Sequence, residues 1–195
     1  MTPDAPPTPT VARRPVFTIA VASALLVVAW LVAFVTPTEL DRSAPFVTTM
    51  SIGEPASGRN ISATIDSVRL ARAVHTDRWS ADAGTLWVVV DLAAEAVRDD
   101  VQAVLGGTTL RIGDRTYEAS ERPASLARGG LSAGIPANGV LAFEIPASAA
   151  DAGIAQLDLS IEEDVRLDSV LRLDIDLTAL DVEDDVELAP TEWGR

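Results

Sequence analysis

The sequence predicts an all-β domain, an antiparallel β-sandwich, preceded by one N-terminal transmembrane helix. Three observations carry that reading. An uncharged apolar run fills Val16–Val35. The remainder of the chain alternates apolar and polar residues with period two, the mark of strands with one face buried. Glycine, asparagine and aspartate recur between the alternating segments and cut them into short strands.

The apolar run comes first in the chain and reads VFTIAVASALLVVAWLVAFV. At a rise of about 1.5 Å per residue, a helix of this length crosses the roughly 30 Å hydrocarbon core of a bilayer. Arg13 and Arg14 precede it, whereas Glu39 and Asp41 outweigh Arg42 behind it. The positive-inside bias then places residues 1–15 in the cytoplasm and the long C-terminal part outside. Trp30 and Phe34 fall toward the outer end, where aromatic rings favour the interface. A cleaved signal peptide is the competing reading. The run exceeds the usual h-region, its small-residue stretch Ala22-Ser23-Ala24 lies inside it, and Val35-Thr36-Pro37 makes a poor cleavage site. An uncleaved anchor over 16–36 is therefore the expectation. Ala20, Ser23 and Ala24 offer small residues for helix packing without a Gly-x-x-x-Gly motif.

The anchor divides the chain. Residues 1–15 hold five prolines and no large apolar residue but Val11, so they read as a disordered tail. Residues 37–45 read as a short stalk. Residues 46–180 form the predicted domain, and 181–195 an acidic, solvated tail.

Within the domain, Ile61, Ala63 and Ile65 alternate with Ser62 and Thr64. Leu141, Phe143 and Ile145 do the same, as do Leu157, Leu159 and Ile161, and Leu171, Leu173, Ile175 and Leu177. Leu86-Trp87-Val88-Val89-Val90 is apolar on both faces and predicts a central strand, with Val88, Val90 and Leu92 toward the core. The apolar parity is odd through Ile65 but even at Val68 and Leu70. Either a β-bulge lies near Asp66-Ser67 or two strands meet at a bend, and the bulge is the reading adopted. Turns are expected at Ala56-Ser57-Gly58, Gly106-Gly107, Gly113-Asp114 and Asn138-Gly139. Gly113-Asp114 would tip a hairpin over Leu110–Tyr117. Pro146 ends a strand, and the alanine-rich Ala147–Ala152 closed by Gly153 suits a single helical turn. Glu162-Glu163-Asp164 marks an exposed turn. Seven or so short strands with turns at this spacing make a sandwich.

Ile61–Val68, Leu86–Leu92 (LWVVVDL) and Gly139–Pro146 (GVLAFEIP) together resemble the immunoglobulin-like extracytoplasmic domain of a bacterial domain-of-unknown-function family found in membrane-anchored surface proteins. The likeness covers most of 46–177. It implies an extracytoplasmic sandwich that works by interaction, and it brings no catalytic residues. The chain departs from common members in having a helix where they have a lipobox cysteine.

Composition narrows the chemistry. With no cysteine, there is neither a disulfide framework nor a thiolate metal site, and an exported domain must rely on its apolar core. All fifteen basic residues are arginine, a bias that fits a GC-rich bacterial genome. Only Asp4 among the 29 acids precedes the anchor, against two of the fifteen arginines, so the exported part carries a net charge of −15. Such a field repels nucleic acid and favours solubility. His75, the only histidine, lies in the polar stretch His75-Thr76-Asp77-Arg78 and reads as a solvated loop residue. No serine nucleophile elbow and no phosphate loop occurs, and Gly129-Gly130 is a turn. Asn60-Ile61-Ser62 is formally a glycosylation sequon but falls on a predicted strand. Arg69, Arg72, Arg78 and Arg98 are expected at the surface, paired with acids at a gain of roughly 0–1 kcal/mol each. Asp181, Glu183, Asp184, Asp185 and Glu187 could gather calcium, yet their spacing misses the EF-hand pattern. Leu180, Val182, Val186 and Leu188 alternate loosely among those acids and could extend an edge strand, with Trp193 as an anchor to the domain or to a partner.

No catalytic, cofactor-binding or metal residue is assigned, and no cofactor is expected. The functional expectation is a non-catalytic, membrane-tethered interaction module whose partners are the bilayer, through 16–36, and another cell-envelope protein. The alternative is an extracytoplasmic sensor that takes a divalent cation or a cationic ligand on its acidic surface.

Overall fold

The computed structural model describes residues 14–35, 43–81, 84–98, 103–122 and 125–194. The expected tail over 1–13 and most of the stalk lie outside the described residues. Two units are distinguished, Met1–Ser43 and Ala44–Arg195.

The first unit contains α1 (Arg14–Val35), 22 residues long. Its first turn takes in Arg14 and Pro15, which the sequence analysis counts with the tail; proline is tolerated there because the first-turn N–H has no intrahelical acceptor to lose. Between Phe17 and Phe34 the helix is apolar, long enough to cross a membrane, and exposed on every side. The rings of Trp30 and Phe34 stack at 5.6 Å, one turn apart.

The second unit is a β-sandwich. Its strands are, in chain order, β1 (Phe46–Thr49), β2 (Pro55–Ser57), β3 (Ile61–Ala71), β4 (Val74–Thr76), β5 (Trp79–Ser80), β6 (Leu86–Ala96), β7 (Ala103–Val104) and β8 (Gly107–Ile112). They continue with β9 (Arg115–Glu118), β10 (Gly130–Leu131), β11 (Ala137–Ile145), β12 (Ile154–Ser160), β13 (Ser169–Asp176), β14 (Val182–Glu183), β15 (Val186–Glu187) and β16 (Glu192–Trp193). One sheet has the order β1-β13-β12-β8-β9, and the other the order β14-β3-β6-β11-β16 with β2 beside β3. The pairs β4–β5–β15 and β7–β10 form small additional ladders.

The period-two segments become these strands, and their inner residues form one core. Ile65, Val90, Leu92, Phe143 and Ile145 come from one sheet, and Leu110, Leu157, Leu159 and Leu171 from the other. The face change in β3 is a bulge. Its register against β6 slips between Ile65, opposite Leu92, and Ser67, opposite Asp91, so that Asp66 is the extra residue. Ile65 and Val68 are thereby both buried. The slip also brings the Ser67 hydroxyl to 2.6 Å from Asp91 Oδ2, which accepts a second bond from Arg69 at 2.9 Å.

The β8–β9 hairpin turns at Gly113-Asp114, with Ile112 opposite Arg115 and a φ of +57° at Gly113. Residues Ala147–Ala152 form a short 3-10 helix. Gly106-Gly107 acts by close approach: a Cβ on Gly107 would collide with Ser160 Oγ, and one on Gly106 would lie 2.6 Å from the carbonyl oxygen of Ile161. Not every pairing is antiparallel. β1 runs parallel to β13, β14 to β3 and β15 to β4. These strands lie near the two ends of the domain and reach their neighbours without a hairpin, so no tight turn imposes opposite directions.

The outer faces of the two sheets differ. On the first sheet, Arg172 makes two 2.7 Å bonds to Asp158 directly across β12–β13, and Gln156 donates to Asp174 at 2.9 Å. That face is left to water. On the second sheet the outward residues Trp87, Val89, Val140 and Ala142 are apolar and buried.

Two outcomes follow. Phe143→Ala, at a fully buried site, should cost about 3–5 kcal/mol in urea unfolding with little change in m-value. Asp164, in the β12–β13 turn, accepts hydrogen bonds from the Arg166 side chain and backbone, which hold its carboxyl at about 2 against the ordinary 3.8. A carboxyl depressed in the folded state contributes its stability above the unfolded value and loses it as pH falls toward the folded one. Asp164→Asn should therefore flatten the loss of stability between pH 4 and pH 2, measured by urea titration at each pH.

Candidate functional site

The buried outer face of the second sheet leads to the site. What covers it is the acidic C-terminal segment, which is not a free tail. β14 extends the sheet beside the end of β3, opposite Leu70 and Ala71. β15 then pairs with β4, where the Val186 N–H donates to Ala73 O at 3.0 Å and the Leu188 N–H to His75 O at 2.8 Å. β16 closes onto β11, and the Gly194 N–H reaches Pro136 O at 2.7 Å. Val186 and Leu188 sink into a second apolar cluster with Ala71, Val74, Trp87, Val89, Val140 and Ala142. The alternation seen in the sequence puts these two residues inward and the acids outward. Trp193 anchors through its backbone, and its ring stays half exposed.

The acids of this strap are spread along the sheet. Asp184 Oδ1 lies 3.6 Å from Arg72 Nε, and Asp185 Oδ1 lies 3.0 Å from His75 Nδ1. His75 is therefore a strand residue, in β4, where a loop was expected. Its neighbours in the strand ladder are Glu187 and Ser80. Among the described residues no group of three or more histidines and acids is gathered as a metal site. The candidate surface arginines divide accordingly. Arg69 and Arg72 hold acids, Arg98 is engaged, and Arg78 has no ion pair among the described residues.

Beside the strap lies a hollow of about 420 Å³ lined by Thr76, Asp77, Arg78, Trp79, Arg122, Glu187, Leu188 and Pro190. Its apolar side is Trp79 with Leu188 and Pro190. The Trp79 ring meets the edge of Trp87 at 5.9 Å and 79°, so its orientation is set by the cluster beneath. Arg78 and Asp77 come from the β4–β5 turn, Arg122 from the segment after β9, and Glu187 from the strap. This volume falls within the range of small-ligand sites. A second, smaller cleft of about 150 Å³ opens over Gly106-Gly107. There Arg128, itself at a φ of +57°, bonds to both Glu121 and Glu163. These hydrogen bonds, Glu163 foremost, raise the Arg128 pKa. The cleft's guanidinium is thus already occupied. In the sequence Asp77 and Arg78 read only as polar loop residues. Arg122 and Trp79 carried no signal, because a two-residue strand and an irregular segment have no period.

No protein-family model matches the chain, and no curated protein does. Among solved structures it is similar to an uncharacterized β-sandwich protein from Clostridium difficile 630. That similarity has a TM-score of 0.44 at 10% identity, over 72% of this chain and 99% of the other.

The strap is testable by its buried anchor. Leu188→Ala should lower unfolding stability by about 2 kcal/mol, the low end for a buried leucine. It should also raise amide exchange in β4 and β15 more than in β8 and β12, read by hydrogen–deuterium exchange mass spectrometry.

Proposed function

We propose that the chain is a single-pass, membrane-anchored interaction module with its sandwich outside the cell, non-catalytic, serving another protein of the cell envelope. The observation that carries the proposal is α1. Its Phe17–Phe34 stretch is apolar and exposed all round. Burying such a surface yields about 25 cal/mol per Å², and the hydrocarbon of a bilayer provides the burial. The two arginines at 13 and 14, against the acids Glu39 and Asp41, support an N-terminus inside. The immunoglobulin-like resemblance of 61–68, 86–92 and 139–146 supports a role in interaction, and the net charge of −15 beyond the anchor disfavours nucleic acid.

The absence of native cysteine makes the topology measurable. In intact cells, Asp114→Cys, on the exposed hairpin tip, should react with a membrane-impermeant maleimide. Thr2→Cys should react only after permeabilisation. The opposite pattern would invert the orientation. Loss of residue 2 from the mature chain would make α1 a cleaved signal sequence. For the partner, reciprocal site-specific cross-linking in native membranes should give one defined adduct; a monomer at every position would remove the interaction reading.

A further inference from the structure

The hollow beside Trp79 holds charges that the rest of the molecule leaves unused. Elsewhere among the described residues of the domain most guanidinium groups are engaged: Arg69, Arg72, Arg128, Arg166 and Arg172 hold carboxylates, Arg111 reaches Gln156, and Arg59 lies over the Phe46 ring, whereas Arg115, on the β8–β9 hairpin, has no ion pair among them. Among the described residues Arg78 and Arg122 have no ion pair, although the chain has 29 acids to fifteen bases. Asp77 and Glu187, on the same rim, have no cation within 4 Å among the described residues either. Two cations and two anions therefore surround one apolar wall without closing on each other.

We infer that this hollow is a binding site for a small zwitterion with an apolar body, the chemistry of a free α-amino acid with an aliphatic or aromatic side chain. Guanidinium groups recognise a carboxylate by paired N–H donors. An ammonium group suits Asp77 and Glu187. The apolar side chain lies against Trp79, Leu188 and Pro190, where it leaves water. A simple cation, which the net charge of the domain favours in bulk, would meet two unshielded arginines. A simple anion would meet two carboxylates. Only a ligand with both signs satisfies the four groups, and a volume of about 420 Å³ accommodates it. This inference stands apart from the membrane reading, since it uses only the folded domain.

The test uses the full-length chain in lipid nanodiscs, with binding followed by calorimetry. The probes are L-leucine, isovalerate (the carboxylate without the amine) and isoamylamine (the amine without the carboxylate). L-leucine should bind, and each single-charge analogue at least tenfold more weakly. The double variant Arg78→Gln/Arg122→Gln should lose at least tenfold in leucine affinity. Arg115→Gln, a guanidinium on β9 outside the hollow, should lose none. No leucine binding, or isovalerate or isoamylamine binding as tightly as leucine, would overturn the inference, and so would unchanged affinity in the folded double variant. Should the double variant fail to fold, the three probes on the unaltered chain decide alone.

Discussion

The structure depends on one strand being apolar on both faces. β6 pairs with β3 on one side and β11 on the other along most of its length. Its inward residues Val88, Val90 and Leu92 join the sandwich core, and its outward residues Trp87 and Val89 need a cover of their own. An ordinary two-layer sandwich supplies only the first. A strand buried on one face can leave the other to water, as β12 and β13 do with Arg172, Asp158 and Gln156. β6 cannot, because exposing a tryptophan, two valines and an alanine across β6 and β11 would forfeit several kcal/mol of burial. The strap exists to meet that demand, and its route follows the uncovered residues.

How much of this was legible in the sequence depends on the length of the signal. β3, β12 and β13 span seven residues or more, so their alternation is unambiguous. The parity change at Asp66 is legible for the same reason, since Ile61, Ala63 and Ile65 before it and Val68 and Leu70 after it define two faces. The two-sided run LWVVV was equally plain, but what covers its second face was not. Strap strands of two residues leave no period to read. Five acids in seven positions outweigh the two inward side chains, Val186 and Leu188, that hold the segment down. His75 was misplaced by the same short-range polarity. β4 has one apolar residue in three, Val74, too few to show a period, and its pairing with β15 is a fact of tertiary structure.

The charge of the chain is similarly misleading when read as a sum. A net charge of −15 beyond the anchor suggests a surface for cations. Yet the strap acids are distributed, and two of them are taken by Arg72 and His75. What a ligand meets is set within a Debye length of about 8–10 Å, where solvent ions screen the more distant carboxylates. The lining of the Trp79 hollow carries two arginines and two carboxylates. Composition describes solubility and long-range steering; the hollow, built from three separate segments, answers to topology.

The hollow and the strap are in turn one mechanical unit. Glu187, Leu188 and Pro190 supply one wall, and β4 with Trp79 supplies another. The same Leu188 whose backbone bonds to His75 O fills the cluster beneath Trp87. A ligand seated between these walls contacts both, so its binding free energy includes whatever it adds to the docking of the strap. By linkage the reverse holds to the same degree: a strap held down against β4 and β11 presents a preformed site, and one that lifts removes it. The C-terminal end of the strap pairs with β11 at Ala137 and Asn138, at the end of that strand remote from Ile145. A partner that competed for β11 at that point would therefore act on the hollow through the strap, by peeling a segment whose two-residue ladders are individually weak and whose hold rests on Val186 and Leu188.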